Sequence, residues 1–321
     1  MDRTIADWAV GPLLVGLIWR IDFVLQHISP QRKETVMTKV YFITGVSSGF
    51  GRALAEAVLR RGDKAVLTAR KVEAISDLTQ QYKDNSLAVQ LDVTNEAGRL
   101  AAIQAALERF GRIDVLVNNA GQGSLGAAEE FSSAQVRNQM EVNFFACVEL
   151  IRSVLPIMRR QRSGHILNIS SIGGRVNVGG FALYGAGKFA LEGFSEALFD
   201  EVRPLGIRVT LIEPGAFRTE FAGTSNVRPP VVIPDYQPVV EPIRQYLYGN
   251  NGKQLGDPRK AAAVMIQVVE SDDPPLRLML GADAYGLWEQ KRASMDAEIE
   301  RWRAIGEDTA FSDAKFSAIG N

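Results

Sequence analysis

Three short stretches hold residues whose types and spacing could do chemistry. "TGVSSGFG", residues 44–51, sets Gly45, Gly49 and Gly51 between a short apolar run and the start of a helical pattern. Such glycines allow a tight turn, a close backbone approach to a ligand and close helix–strand packing. The helix start then offers free N–H groups and a positive dipole end to a pyrophosphate, and Ser47 and Ser48 add hydroxyls. "LTAR" closes the next apolar run with Ala69 and Arg70 and no acid. An acid here would take a ribose hydroxyl, whereas a basic residue suits a 2′-phosphate, so the pattern favours NADP(H) over NAD(H). "YGAGK" places Tyr184 and Lys188 four apart in what otherwise reads as a helix, with glycines at 185 and 187. Residues i and i+4 share a face, so a phenol and an ammonium face one partner together. Each glycine costs about 1 kcal/mol against alanine in a helix. Their use is relief of crowding against a neighbouring helix, a cofactor or a subunit; the sequence leaves the three open.

These stretches need a frame. From Lys39 the runs "KVYFIT", "KAVLTAR", "LAVQLDV", "IDVLVNNAG", "HILNISS" and "IRVTLIEPG" alternate with helical patterns, among them "FGRALAEAVLRRG" and a long one at about 133–162. Strands separated by helices argue for a parallel sheet, and continuous apolar strands for one covered on both faces. The expected fold is α/β, a Rossmann-type doubly wound parallel sheet in a single domain over 37–282, with ligands beyond the carboxyl ends of the strands. Residues 216–256 are rich in proline and glycine and read as a substrate lid lined by Val231, Val232, Ile233, Tyr236, Val239 and Val240. The other reading is an irregular connector. Asp257 then caps a helix with Pro258 at its first position, "PLRLMLG" is a last strand, and 283–321 is a helical tail.

The 321 residues carry a net charge of −1, which gives a nucleic-acid partner no basic face to bind. The arginines of "PIMRRQRSG" read as a solvated helix end. A single cysteine, Cys147, excludes an internal disulfide and suits the cytoplasm; its apolar setting reads as a buried, inert thiol. His27 and His165 are far apart and belong to no HExxH or Cys/His cluster, so no metal site is expected. Residues 1–36 include an apolar stretch that Arg20 and Asp22 interrupt. Its unbroken part falls short of the roughly 20 residues that span a bilayer, so no integral span is expected. It lacks the basic start and small-residue cleavage site of a secretory signal. Two readings stand: an amphipathic extension, or a segment outside the folded unit, which starts naturally at "MTKVYFITG".

"TGVSSGFG", "LDV", "NNAG", "ISS" and "YGAGK" occur in this order and at matching spacings. The chain resembles the short-chain dehydrogenase/reductase family in its single-domain branch, and "FITGVSSGFG" and "IEPGAFRTEF" are most similar to its 17β-hydroxysteroid and retinol dehydrogenase-like members. The resemblance implies that Tyr184 is the general acid/base. It implies that Lys188 binds the nicotinamide ribose and lowers the tyrosine pKa from about 10. Ser171 polarises the carbonyl and Asn143 holds a water of a proton relay. It places the cofactor against Gly45, Ser47, Ser48, Gly49, Phe50, Gly51, Arg70, Asp92 and Val93. Asn118, Asn119, Ala120 and Gly121 line its channel, and Pro214, Gly215, Phe217 and Thr219 flank the nicotinamide. It also implies a small-molecule alcohol or carbonyl substrate, lipophilic by the lid's composition, and a homodimer or homotetramer. A non-catalytic NADP(H)-binding redox sensor is the rival of another class; such a chain would be expected to lose the tyrosine or lysine. An epimerase or dehydratase would need a longer C-terminal substrate domain.

Overall fold

Tyr41 and Ile43 face one side of their strand and Phe42 the other, and all three are buried. That pattern repeats along the chain and explains the continuous apolar runs: each strand has a core on both faces. The computed structural model describes residues 38–223 and 225–313; the extension over 1–36 lies outside them. The strands are β1 (Val40–Ile43), β2 (Lys64–Ala69), β3 (Ser86–Gln90), β4 (Val115–Asn118), β6 (Gly164–Ile169), β7 (Ile207–Pro214) and β9 (Arg277–Leu280). They form one all-parallel sheet in the order β3-β2-β1-β4-β6-β7-β9. Two short strands, β5 (Gly123–Ser124) and β8 (Asn226–Val227), pair separately.

One face is covered by α1 (Gly49–Arg60), α2 (Ser76–Gln81) and α8 (Pro258–Glu270). The other is covered by α3 (Glu96–Phe110), α5 (Ala146–Gln161) and α6 (Ala182–Val202). The fold is the expected doubly wound Rossmann-type sheet. Its order reverses between β1 and β4, so the crevice for a ligand opens beyond their carboxyl ends. The long helix expected at 133–162 is α4 (Ser133–Met140) running into α5 through a π turn at Glu141–Phe145. Asp257 accepts from the Arg259 N–H and caps α8, as its sequence implied. Among the described residues no helix is long and apolar enough to cross a membrane.

His165 lies at the end of β6 remote from the crevice. Its Nε2 is 2.9 Å from Thr210 Oγ1, and Thr210 gives its own proton to the Pro275 carbonyl at 2.8 Å. Nε2 therefore carries the ring proton, and Nδ1 is bare and buried without a partner among the described residues. Burial first, then Arg208 and Lys39, lower its pKa to about 3. The unfolded imidazole binds a proton from about pH 6.5 downward and the folded one does not. Stability is thus intact above 6.5 and is lost as pH falls toward 3, by on the order of 5 kcal/mol in all. Urea midpoints measured between about pH 6 and pH 4 should fall by about one proton's slope less in His165→Gln than in wild type.

Candidate active site

The glycine-rich turn is locked to the β4 turn by hydrogen bonds. Thr44 Oγ1 accepts from the N–H groups of Asn119 and Ala120, both at 2.9 Å. Asn119 Nδ2 returns two bonds, to Thr44 O at 2.8 Å and Gly45 O at 3.0 Å. Gly45 and Gly49 take φ of +70° and +58°, where a side chain would be strained. Gly51 has another reason: a Cβ there would lie 2.5 Å from the Gly45 carbonyl oxygen and against Asn119 Nδ2. Ser48 precedes α1 in extended backbone and makes no side-chain cap, and the first turn carries no acid. The first N–H groups of α1 are thus left for an anion. Thr219 approaches from across the crevice, with its side chain 3.3 Å from where a Gly49 Cβ would be. Phe217 meets Phe50 with ring centroids 5.1 Å apart. This cradle fits the pyrophosphate of a dinucleotide.

Arg70 is exposed just past β2 and makes no ion pair among the described residues. Asp92 accepts from the Thr94 N–H at 3.0 Å and the Thr94 hydroxyl at 2.8 Å. Those bonds, with Arg70 adding to them, hold its carboxyl below the ordinary range. Val93 beside it is buried. Asn118 differs from expectation. Its side chain turns into the sheet and donates to Asn168 Oδ1 at 2.8 Å, so it frames the crevice from beneath rather than lining it.

Asn143, Ser171, Tyr184 and Lys188 come together at the carboxyl ends of β4 and β6. Asn143 sits in the π turn, fully buried. Its Oδ1 accepts from Gln122 N at 2.9 Å and its Nδ2 donates to Gln122 O at 2.8 Å, which joins the helix to the segment after Gly121. A Cβ on Gly121 would lie 3.3 Å from Asn143 Oδ1 and 3.8 Å from Lys188 Nζ. Lys188 Nζ donates to Ile169 O at 2.7 Å. Ser171 Oγ accepts from Gly173 N at 2.9 Å, which leaves its own proton for another acceptor. Gly173 separates Ser171 from Tyr184: a Cβ there would be 3.3 Å from Ser171 Oγ and 3.1 Å from Tyr184 Cε1.

The tyrosine pKa runs against expectation. Burial pushes it up to about 12, and the hydrogen bond with Ser171 pulls it back only in part. Lys188 Nζ is 6.0 Å from the Tyr184 ring centroid and bound to a carbonyl, and its own pKa is lowered by burial. Desolvation decides the direction here. Cys147, one turn beyond Asn143, is buried, and burial raises its pKa.

The two glycines of "YGAGK" have separate uses. A Cβ on Gly185 would collide with the side chain of Asn177, from the loop before the helix. One on Gly187 would lie 3.2 Å from Asn143 Cβ. Of the three neighbours weighed from the sequence, the Gly187 space belongs to a neighbouring helical segment, and the Gly185 space to a loop.

Residues 216–256 hold more regular structure than their prolines suggested. They include a one-turn helix at Pro234–Tyr236 and α7 (Gln237–Gly249), with Pro238 in its first turn and Pro242 within. The segment is tied down by Ile233 N to Glu130 Oε1 at 2.8 Å and the Tyr236 hydroxyl to Glu129 at 2.6 Å. Val240 is buried and packs toward Gly180, whereas Val231, Val232 and Val239 are more than half exposed. Phe221 packs against the reaction centre, its ring centroid 5.0 Å from that of Tyr184. Sequence reasoning missed it, although it lies two residues beyond Thr219. It also missed Asp283, whose carboxylate accepts from Ala216 N at 2.6 Å and fixes the turn after Gly215. Asp283 lies in the first turn of α9 (Ala282–Glu307), the helix read as a tail. The pattern Gly281-x-Asp283 was the available signal, with Gly281 at φ +99°.

A sheet that reverses over a glycine-rich turn, with a buried Tyr–Lys face beside it, defines a dinucleotide-dependent oxidoreductase. The short chain dehydrogenase family model matches residues 39–229, and the chain belongs to that family. It is 40% identical over 270 residues to Oxidoreductase BOA17 of Botryotinia fuckeliana, covering 84% of this chain and 98% of that protein. It is 36% identical over 255 residues to retinol dehydrogenase 8 of Bos taurus, covering 74% and 80%. A short-chain dehydrogenase from Streptomyces avermitilis superimposes with a TM-score of 0.81 at 42% identity, over 85% of this chain and all of that one. The protein is accordingly an NAD(P)-dependent dehydrogenase/reductase acting on a small molecule.

Proposed function

We propose that the protein uses NADP(H) to interconvert a lipophilic ketone or aldehyde and its alcohol, with Tyr184, Ser171, Lys188 and Asn143 as the working set. The observation that carries this reading is the convergence of those four side chains around Gly121 and Gly173 at the end of the crevice. The cofactor supplies the hydride. Tyr184, neutral below its raised pKa, gives its proton to the carbonyl oxygen, and Ser171 donates its O–H to the same oxygen as charge develops there. Lys188 spends one of three donors on Ile169 and has two left for a ribose. Asn143 fixes the π turn against Gln122, beside the lysine that the relay would serve. Phe221 and Phe181 around the phenol suit an apolar substrate, and retinol dehydrogenase 8 is named for one. The complete set argues against the sensor.

The test is NADPH oxidation against a panel of aldehydes, ketones, quinones and steroid-like carbonyls. Turnover of apolar members supports the reading; tight NADPH binding with no turnover would favour the sensor. Cofactor choice rests on Arg70, exposed at the end of β2 and in no ion pair among the described residues. Arg70→Asp should weaken NADPH binding by about 10- to 100-fold and tighten NADH binding, since a paired phosphate is worth a few kcal/mol. Unchanged affinities in titration calorimetry would remove the preference. Assembly as a homodimer or homotetramer in the cytoplasm belongs to the same proposal, and solution mass measurement checks the first.

A further inference from the structure

Beneath Ser171 lies a group of charges that the proposed chemistry does not use. Glu213, next to Pro214 at the end of β7, is fully buried, and neither carboxylate oxygen has a hydrogen-bond partner among the described residues. Three charged groups face it from three elements. Arg175, on the turn after Ser171, brings Nη1 within 3.5 Å of Oε2. Arg277, at the start of β9, brings Nε within 3.6 Å of Oε1. Glu192 of α6 faces it as a like charge. Glu192 is better served, because it accepts from the Ser170 hydroxyl at 2.5 Å and from Arg277 Nε at 3.0 Å. Arg277 also pairs with Glu196. The Arg175 guanidinium lies over the Trp288 ring of α9, 3.6 Å from its centroid.

Three carboxylates thus share two guanidiniums. Of the three, only Glu192 and Glu213 are buried, and of these the carboxyl without hydrogen bonds to its ionised form takes up a proton more readily. That carboxyl is Glu213. Burial, then Glu192, raise its pKa to about 7, against the pull of Arg175 and Arg277.

Arg175 closes the turn that presents Ser171. Its N–H donates to Ile172 O at 3.0 Å, just after Gly174 N donates to Ser171 O at 2.9 Å. We propose that Glu213 is a positioning residue: its ionised carboxylate holds Arg175, and through Arg175 the turn that carries Ser171. This rests on the role given to Ser171 above. Protonated Glu213 releases Arg175 to Trp288 and solvent, and the turn loses that anchor.

The first test needs neither cofactor nor substrate. Trp288 emission in the full chain is followed from about pH 5.5 to about 8.5, with Trp288→Phe as the blank. Wild type should show one step centred near pH 7. Glu213→Gln, which keeps the shape but cannot ionise, should show none, and Arg175→Met should also lose it. A flat wild-type profile, or a step that survives in Glu213→Gln, overturns the proposal. The second readout is kinetic. With the best substrate of the panel, Glu213→Gln should lower kcat about tenfold and flatten its limb near neutral pH, while KM for NADPH moves less than about twofold. A retained limb, or equal losses in kcat and KM, overturns the positioning role. Should no carbonyl be turned over, the functional reading fails on its own, and the emission profile still decides whether Glu213 governs Arg175.

Discussion

Tyr184→Phe should cut turnover by about 1,000-fold and leave cofactor affinity within about threefold, because a positioned general acid is worth roughly 10²–10⁴. The substitution removes one oxygen. The ring keeps its contacts with Phe221 at 5.0 Å and Phe181 at 6.2 Å, so unfolding should shift by no more than about 1 kcal/mol. The raised pKa gives the two directions different pH profiles. Below about 12 the phenol is protonated, as reduction requires, so reduction should not fall across neutral pH for want of Tyr184's proton. Oxidation needs the ionised form, so its rate should climb with pH. Rates in both directions from about pH 6 to about 9, with the variant as control, check this. A variant within tenfold of wild type would take the proton-donor role from Tyr184.

Gly51→Ala should have the second-largest effect, on binding rather than on chemistry. The added methyl meets the Gly45 carbonyl oxygen at 2.5 Å and the Asn119 amide that ties the two turns together. Backbone cannot yield as a flexible side chain does, so the turn must open. Overpacking of this kind costs about 1–3 kcal/mol, which corresponds to a cofactor Kd raised about 10- to 100-fold. Gly193→Ala is the control: it lies in α6 with nothing within 4 Å of the new methyl, and should stabilise the protein by up to about 1 kcal/mol. Equal NADPH affinity in the two variants would show that the cradle at Gly51 is not where the cofactor rests.

The frame was legible because each central strand is buried on both faces, which leaves a continuous apolar run such as "KVYFIT" that no surface strand would show. Tyr184 and Lys188 were legible because helical spacing alone puts them on one face. What the sequence hid depends on distant neighbours. Nothing near Gly187 announces that Asn143 lies against it. Lys188 beside Tyr184 suggests a lowered phenol pKa, but the sign follows from how deeply both are buried. Proline content argued for an irregular segment at 216–256, yet Pro238 falls in the first turn of α7, where no N–H is needed. The charges around Glu213 lie at 175, 192, 196, 213 and 277, too scattered for any motif.

The place of β1 at the centre of the sheet has a consequence for synthesis. β1 emerges before the other strands of its sheet, and its pairing with β2 completes by residue 67, but its other neighbour begins only at Val115. Thr44 and Asn119, which lock the two turns, are 75 positions apart. At about 5–20 residues per second a ribosome needs about 4–15 s to cover that interval. Throughout it the nascent chain offers the unpaired edge of Val40–Ile43, an apolar strand with no charge to repel another copy. A polysome carrying many such half-sheets sets these edges side by side, and no cofactor can cover them there, because its seat is not yet made.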